Sequence, residues 1–316
     1  MREVVLAVDI GGTKTVVALA DRGDVLLDTA SAPTPALFGP DAVVRTVVDL
    51  AAELLARSPG VRALGAGIGT AGVVDVGAGS IVSATDTFTD WAGTPLAALL
   101  RTGLVGLLAT PGIVHVQNDV DAHAAGEYLH GAASGADSAL VVTVGTGVGA
   151  GIILGGRPLR GARHVAGEIA HVPTPGAGHL RCPCGRFGHL EALGSGVGMY
   201  RHYLSLGGEP VVIDARGIAE RAHAGDPVAC RAVEDSAAAV GRAIASAVTI
   251  LDPERVVITG GVARIGDLWW DAVRRSFHAE VIDVLQQVPL VPGRLGDDAP
   301  LRGAAASAWD VIEGRP

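Results

Sequence analysis

Four residues between positions 171 and 189 carry side chains suited to a soft metal ion: His171, Cys182, Cys184 and His189. Thiolate and imidazole are the ligands of structural zinc sites, and glycines at 185 and 188 would let a short loop wrap a tetrahedral ion. His179 is an alternative fourth ligand, and a loop without metal is the plain alternative for the segment. The chain has three cysteines, Cys182, Cys184 and Cys230, too few and too unevenly placed for a disulfide framework.

A second constellation is the run DIGGTK at 9–14. Asp9, closing a strand, can hold magnesium directly or through water, since magnesium prefers oxygen ligands and keeps its waters. Gly11 and Gly12 would let a triphosphate approach the backbone, whose N–H groups in such a turn form an anion-binding concavity. Thr13 adds a hydroxyl, and Lys14, the only lysine in the chain, adds a positive charge. Read alone, the run is equally an ordinary β-hairpin with a glycine turn. Asp119 and Asp121 open a helix, where the macrodipole favours acids without any function. Two residues apart on a helix, they do not face each other as a pair.

Two glycine stretches imitate a dinucleotide fingerprint, 67–72 as G-x-G-x-x-G and 145–150 as its alanine-ending variant. That fingerprint needs a helix directly after the loop to hold the pyrophosphate. Here Val73, Val74, Ile152 and Ile153 follow, which are strand formers. A dehydrogenase is therefore rejected, and no G-x-x-x-x-G-K-[ST] exists for a Walker loop.

The elements that must position these residues repeat. Strands are expected at 3–10, 15–20 and after Gly23, a helix at 41–57 stopped by Pro59 and Gly60, and a buried strand at 61–68. A helix over 94–108, a strand over 113–117 and a helix over 119–130 complete the first half. The second half restarts with strands at 138–144 and 150–154 around a glycine turn. Asp226 and Pro227 read as the N-cap and first residue of a long alanine-rich helix ending at Leu251, before a strand at 255–259. VDIGGTKTVVAL at 8–19 and VTVGTGVGAGII at 142–153 share strand, glycine turn and strand in one register. The order implies a duplicated mixed α/β fold, with two domains closing on a cleft.

Composition narrows the classes. With 316 residues, 49% hydrophobic but only 3% aromatic, the core must be built from small aliphatic side chains. A formal net charge of −9 argues against a nucleic-acid surface. The apolar runs have strand length, far short of a bilayer span, and no basic-then-apolar leader stands at the start, so a cytoplasmic location is expected.

In order along nearly the whole chain, DIGGTK (9–14), QNDVDAHAAGE (117–127), TVGTGVGAGI (143–152), AGEIAH (166–171), CPCGRFGHLE (182–191) and ITGGVA (258–263) resemble the ROK family of sugar kinases and repressors. The resemblance implies an actin-like, sugar-kinase/Hsp70 fold of two α/β domains, 1–118 plus 302–316 and 119–301, with an interdomain cleft. It implies ATP and Mg2+ as cofactors, a sugar and a nucleotide as small-molecule partners, and a homodimer or homotetramer. Asp119 would be the general base for a hexose 6-hydroxyl. Gly72, Asn118, Glu168, His171 and Glu191 would bind the sugar. Thr143, Gly145, Thr146 and Gly147 would form a second phosphate loop, with Gly260 and Gly261 against the adenosine. Phosphoryl transfer is mostly positioning and charge neutralisation, so this set suffices.

The chain departs from the family at three points. His189 stands where a third cysteine is usual, which moves the formal charge of a zinc site from about −1 to about 0. With one ring nitrogen of His171 on zinc, the other would be fixed as a donor towards the sugar. Asp86 and Thr87 precede Trp91 where glucokinases carry an asparagine, and Asp121 replaces another. Both point away from plain glucose and towards N-acetylglucosamine; a strict glucokinase and a non-catalytic sugar-responsive regulator are the alternatives. The family's repressors carry a helix-turn-helix domain before the core. Here the first strand starts at once and Asp119 is kept, so a kinase is expected.

Overall fold

The computed structural model describes residues 1–85, 87–110, 112–212 and 214–315; Asp86 lies outside the described residues. The chain divides into two compact units, Met1–Ser134 with Arg157–Ala166 and Asp297–Pro316, and Gly135–Gly156 with Gly167–Gly296.

The first unit begins with β1 (Arg2–Ile10), β2 (Lys14–Ala20) and β3 (Leu26–Pro33), followed by α1 (Pro40–Arg57) and β4 (Val61–Thr70). A small hairpin, β5 (Val73–Asp75) with β6 (Ser80–Ser83), precedes α2 (Leu96–Gly103), β7 (Val114–Asn118) and α3 (Asp119–His130). The sheet order is β3-β2-β1-β4-β7, with β1 antiparallel to β2 and parallel to β4.

Alternation along β1 sends side chains to opposite faces. Val4, Leu6, Val8 and Ile10 join the core under α1, whose Val43, Val47, Leu50 and Leu54 repeat at helical spacing. Val5 and Ala7 face Leu301, Ala305 and Trp309 instead. Each fully buried aliphatic side chain of this kind contributes roughly 1.5–3 kcal/mol. The helix expected over 94–108 ends early, at Gly103, the poorest helix former short of proline. Residues beyond it continue as turns, with the Leu107 amide donating to the Leu104 carbonyl.

In the second unit, β8 (Ser138–Val144) and β9 (Val148–Leu154) form an antiparallel hairpin, with Thr143 opposite Gly149. The next segment, opening with the two-residue strand β10 (Arg157–Pro158), belongs to the first unit. Then come α4 (Glu191–Gly194), α5 (Gly196–Ser205), α6 (Ala215–His223), α7 (Pro227–Leu251), β11 (Arg255–Thr259), α8 (Asp267–Glu280) and β12 (Leu290–Pro292). Strands β9, β8, β11 and β12 lie side by side in that order, as β2, β1, β4 and β7 do in the first unit. The partner senses match too: antiparallel, then parallel, then parallel. The duplication visible in the two glycine turns thus extends over four strands per unit. Asp226 caps α7, its Oδ1 accepting from the Val228 and Ala229 amides at 2.9 and 3.2 Å.

The last helix, α9 (Ala299–Glu313), packs on α3 and on β4 within the first unit. This contact requires glycine. A Cβ at Gly303 would stand 1.9 Å from the Ala122 carbonyl oxygen, and one at Gly126 would stand 2.1 Å from that of Ala299. Among the described residues no helix is long and apolar enough to cross a membrane.

Candidate active site

In the first unit the candidate residues gather at the ends of β1, β4 and β7. The turn after β1 is closed by the Gly11 amide donating to the Lys14 carbonyl at 3.1 Å, and Thr13 and Lys14 are exposed. A Cβ on Gly12 would meet the Thr87 methyl at 2.7 Å, so the loop holding Thr87 rests on this turn. β4 runs through Gly67 and Gly69 to Thr70, Gly72 follows in a left-handed conformation, and β5 comes next. A strand, not a helix, succeeds the glycines of 67–72, and the stretch 145–150 runs directly into β9, which starts at Val148.

Asn118 ends β7 and Asp119 begins α3 with no loop between. The Asn118 Oδ1 accepts from the amides of Val120 and Asp121 at 2.8 and 3.2 Å, which makes it the N-cap. Its Nδ2 donates to the Gly72 carbonyl at 2.9 Å, so Asn118 ties the helix start to the neighbouring turn. Asp119 Oδ1 accepts from the Val120 amide at 3.0 Å. Burial raises the pKa of the Asp119 carboxyl, against the lowering effect of the Val120 amide and of Asn118. Asp9 is pushed up to about 7, first by burial and then by the charge of Asp119, with Lys14 opposing. Two shielded carboxylates near one lysine form a site that a cation or a proton relieves.

The second unit supplies the other glycine turn. Gly145 donates to the Gly147 carbonyl at 2.9 Å, and Thr146 and Gly147 are exposed. Thr143 pairs in register with Thr259, so the turns after β8 and β11 are neighbours. Gly260 follows Thr259 at φ 98°, and a Cβ there would lie 2.3 Å from the Val144 carbonyl oxygen; only glycine fits. Gly261 is open to solvent on its Cβ side. Glu191, the first residue of α4, reaches this turn: its Oε2 accepts from the Val148 amide at 3.1 Å. That contact escaped the sequence reading, which paired Glu191 with sugar alone.

The ligand atoms of His171, Cys182, Cys184 and His189 all lie within 4.8 Å of one another. Bonds of roughly 2.0–2.3 Å to a tetrahedral zinc would require edges of roughly 3.3–3.8 Å, which small side-chain movements reach. The Cys184 Sγ and His189 Nδ1 are 3.2 Å apart, and the Cys182 Sγ and His171 Nδ1 3.6 Å. The second ring nitrogen of His171 lies 3.7 Å from Glu168 Oε2. His171 therefore turns one nitrogen to the thiols and the other to a carboxylate. His179 is not in the cluster; its ring lies 5.9 Å from that of His202.

Sequence reading also missed Arg160, whose guanidinium bonds to Asp121 and Gln117 on either side of the Asn118–Asp119 pair. It lies in no motif, and its partners are 39 and 43 residues away, so a single sequence holds no signal for it.

Comparison with known proteins gives this geometry its relatives. The ROK family model matches residues 5–310. A glucokinase of Streptomyces coelicolor is 32% identical over 317 residues, covering 95% of this chain and 96% of that protein. The N-acetylmannosamine kinase of Citrobacter koseri is 32% identical over 313 residues, covering 96% and 98%. The crystal structure of a ROK family glucokinase from Streptomyces griseus, in complex with glucose and AMPPNP, matches with a TM-score of 0.81 at 32% identity, covering 97% and 99%. The architecture is the actin-like fold of those sugar kinases, duplicated over two α/β units. The chain belongs to the ROK family.

Proposed function

We propose that the acceptor of this ATP-dependent sugar kinase is the 6-hydroxyl of a hexose, glucose or an N-acetylated amino hexose such as N-acetylglucosamine, and that Asp119 is its general base. The observation that carries the reading is the carboxyl of Asp119, half-buried at the strand–helix junction, where desolvation raises its pKa. A base works best with its pKa near the operating pH, where it is both largely ionised and strong enough to take a proton. Asp9 would hold the nucleotide's magnesium, directly or through water, and the turn at 11–14 would cradle phosphate. The turn at 143–147 would cradle the rest of the triphosphate, with Gly260 and Gly261 against the adenosine. Asn118, Gly72, Glu168, His171 and Glu191 would bind sugar hydroxyls. The relatives are named for glucose and for N-acetylmannosamine, which supports the class and leaves the choice to experiment.

The donor set of the His–Cys cluster suits zinc: two thiols and two imidazoles, four ligands in all, leave no open position for water or substrate. Zinc there would supply a structural cross-link, holding His171 and, through the loop, Glu168 and Glu191.

The test is a coupled ADP-release assay across glucose, mannose, N-acetylglucosamine and N-acetylmannosamine. One of them is expected to give turnover, and Asp119→Asn to lower kcat by about 10²–10⁴-fold while sugar binding persists. Turnover of Asp119→Asn within a few-fold of the parent would remove the base assignment, and no turnover with any of the four would remove the acceptor class.

A further inference from the structure

We infer that Arg160 is a positioning residue that clamps the junction carrying Asn118 and Asp119; the inference rests on the reading of Asp119 as base. The guanidinium bonds on both sides of that junction. Its Nη1 donates to Asp121 Oδ2 at 3.0 Å and its Nη2 to Gln117 Oε1 at 3.1 Å. Gln117 is fully buried, and its Nε2 donates in turn to Ser307 Oγ at 2.9 Å, which anchors the strand side of the clamp to α9. Asp121 lies in the first turn of α3, and its amide is one of the two that Asn118 caps.

Because β7 passes into α3 without a loop, the direction of the Asp119 carboxyl follows from the angle between strand and helix. One group held on the strand and one on the helix, by a single planar cation, set that angle. Arginine alone among cationic side chains offers such a rigid fork; a lysine amine would reach one partner or the other. The side chains of Arg160 and Asp121 are only 25% and 13% exposed, so the pair is sheltered from the solvent screening that weakens surface ion pairs. The arginine is presented by the segment Arg157–Ala166, which lies between the glycine pair 155–156 and Gly167, all three at positive φ. Glu168 follows at once, so the segment that supplies the clamp also leads to a candidate sugar ligand.

The experiment compares Arg160→Met, Arg160→Lys and Asp121→Asn with the parent, using MgATP and the acceptor that the sugar panel selects. It reads kcat, both KM values, melting temperature, and hydrogen exchange of a peptide spanning 118–125. Arg160→Met is expected to lower kcat roughly 10- to 100-fold, the cost of a misplacement of about 1 Å, with both KM values within about threefold. Exchange across the first turn of α3 should rise, Arg160→Lys should recover part of the kcat, and Asp121→Asn should fall between. If Arg160→Met does not fold, the lysine and asparagine variants carry the test. A kcat within twofold of the parent overturns the proposal, as do KM values that rise in step with a falling melting temperature, which mean general loosening. Asp119→Asn, run alongside, separates the two ideas. Lost turnover there with normal turnover in the Arg160 variants overturns the clamp alone, and normal turnover in all of them overturns the base reading and the clamp with it.

Discussion

Cys184 sits 3.2 Å from His189 Nδ1, on a loop whose turn is closed by the Gly185 amide donating to the Cys182 carbonyl at 2.9 Å. The backbone turn is thus closed without a metal, and the four ligand atoms lie within 4.8 Å of one another. Cys184→Ala would leave three ligands, and metal binding energy lost there is folding energy lost from the loop. Purified parent protein is expected to hold close to one zinc per chain by elemental analysis, and Cys184→Ala well below that. The KM for sugar should rise about 10-fold or more in the variant, the usual scale for losing support around a metal site, with the KM for ATP moving far less. Parent protein without zinc, or the same metal content in the variant, would sink the assignment.

Among the elements, α3 bears the most constraints: it starts on a candidate catalytic pair and packs closely on α9. Its start was legible, because acidic residues fill the first turn. Its partner was not, because the glycines that allow the contact, Gly126 and Gly303, lie far apart in sequence and resemble every other glycine in the chain. Gly303→Ala would drive a methyl towards the Ala122 carbonyl oxygen, 1.9 Å from the ideal Cβ position, and backbone on both sides must shift. A loss of about 1–3 kcal/mol is expected from such overpacking, read as a lower urea midpoint with an unchanged slope. A midpoint equal to the parent's would show that the helices separate freely. The short α2 teaches the converse: the apolar spacing over 94–108 resembled a longer helix, and the chain gave it up at Gly103.

For the whole molecule, stability against pH sets two kinds of desolvated group against each other. His115 and His123 are held down to about 4, in both cases chiefly by burial; Arg160 adds to the effect on His115, while Glu127 and Asp297 oppose it at His123. Neither Nε2 has a hydrogen-bond partner among the described residues. Between the ordinary histidine value of 6.5 and about 4, the unfolded chain binds more protons than the folded one, so both histidines cost stability as pH falls through that window. Asp9 acts in the opposite sense. Its folded value of about 7 lies above the ordinary 3.8, so its stabilising proton is lost as pH rises through that range. His123→Leu removes one acid-sensitive group without adding a polar atom. The drop in melting temperature from pH 7 to pH 4.5 is expected to shrink by roughly 5–10 °C, the shift that about 2.5 kcal/mol produces in a domain of this size. Equal drops in parent and variant would place the acid sensitivity elsewhere.

By itself the sequence determined the family, the duplicated strand–turn–strand units, the cap of α7 and the candidate metal loop with His171, Cys182 and Cys184. Each of these is a local pattern: a turn must have its glycines, a helix its cap, and a metal loop its ligands within a few residues. Tertiary structure alone decided that His189 and not His179 joins His171 and the two cysteines, that Glu191 touches the second glycine turn, and that Arg160 reaches Asp121 and Gln117. Those contacts join residues 18 to 43 positions apart or depend on which way a loop folds back. The shielding that raises Asp9 and Asp119 has the same origin, because desolvation is summed over every neighbour the fold brings near, and no window of sequence contains that sum.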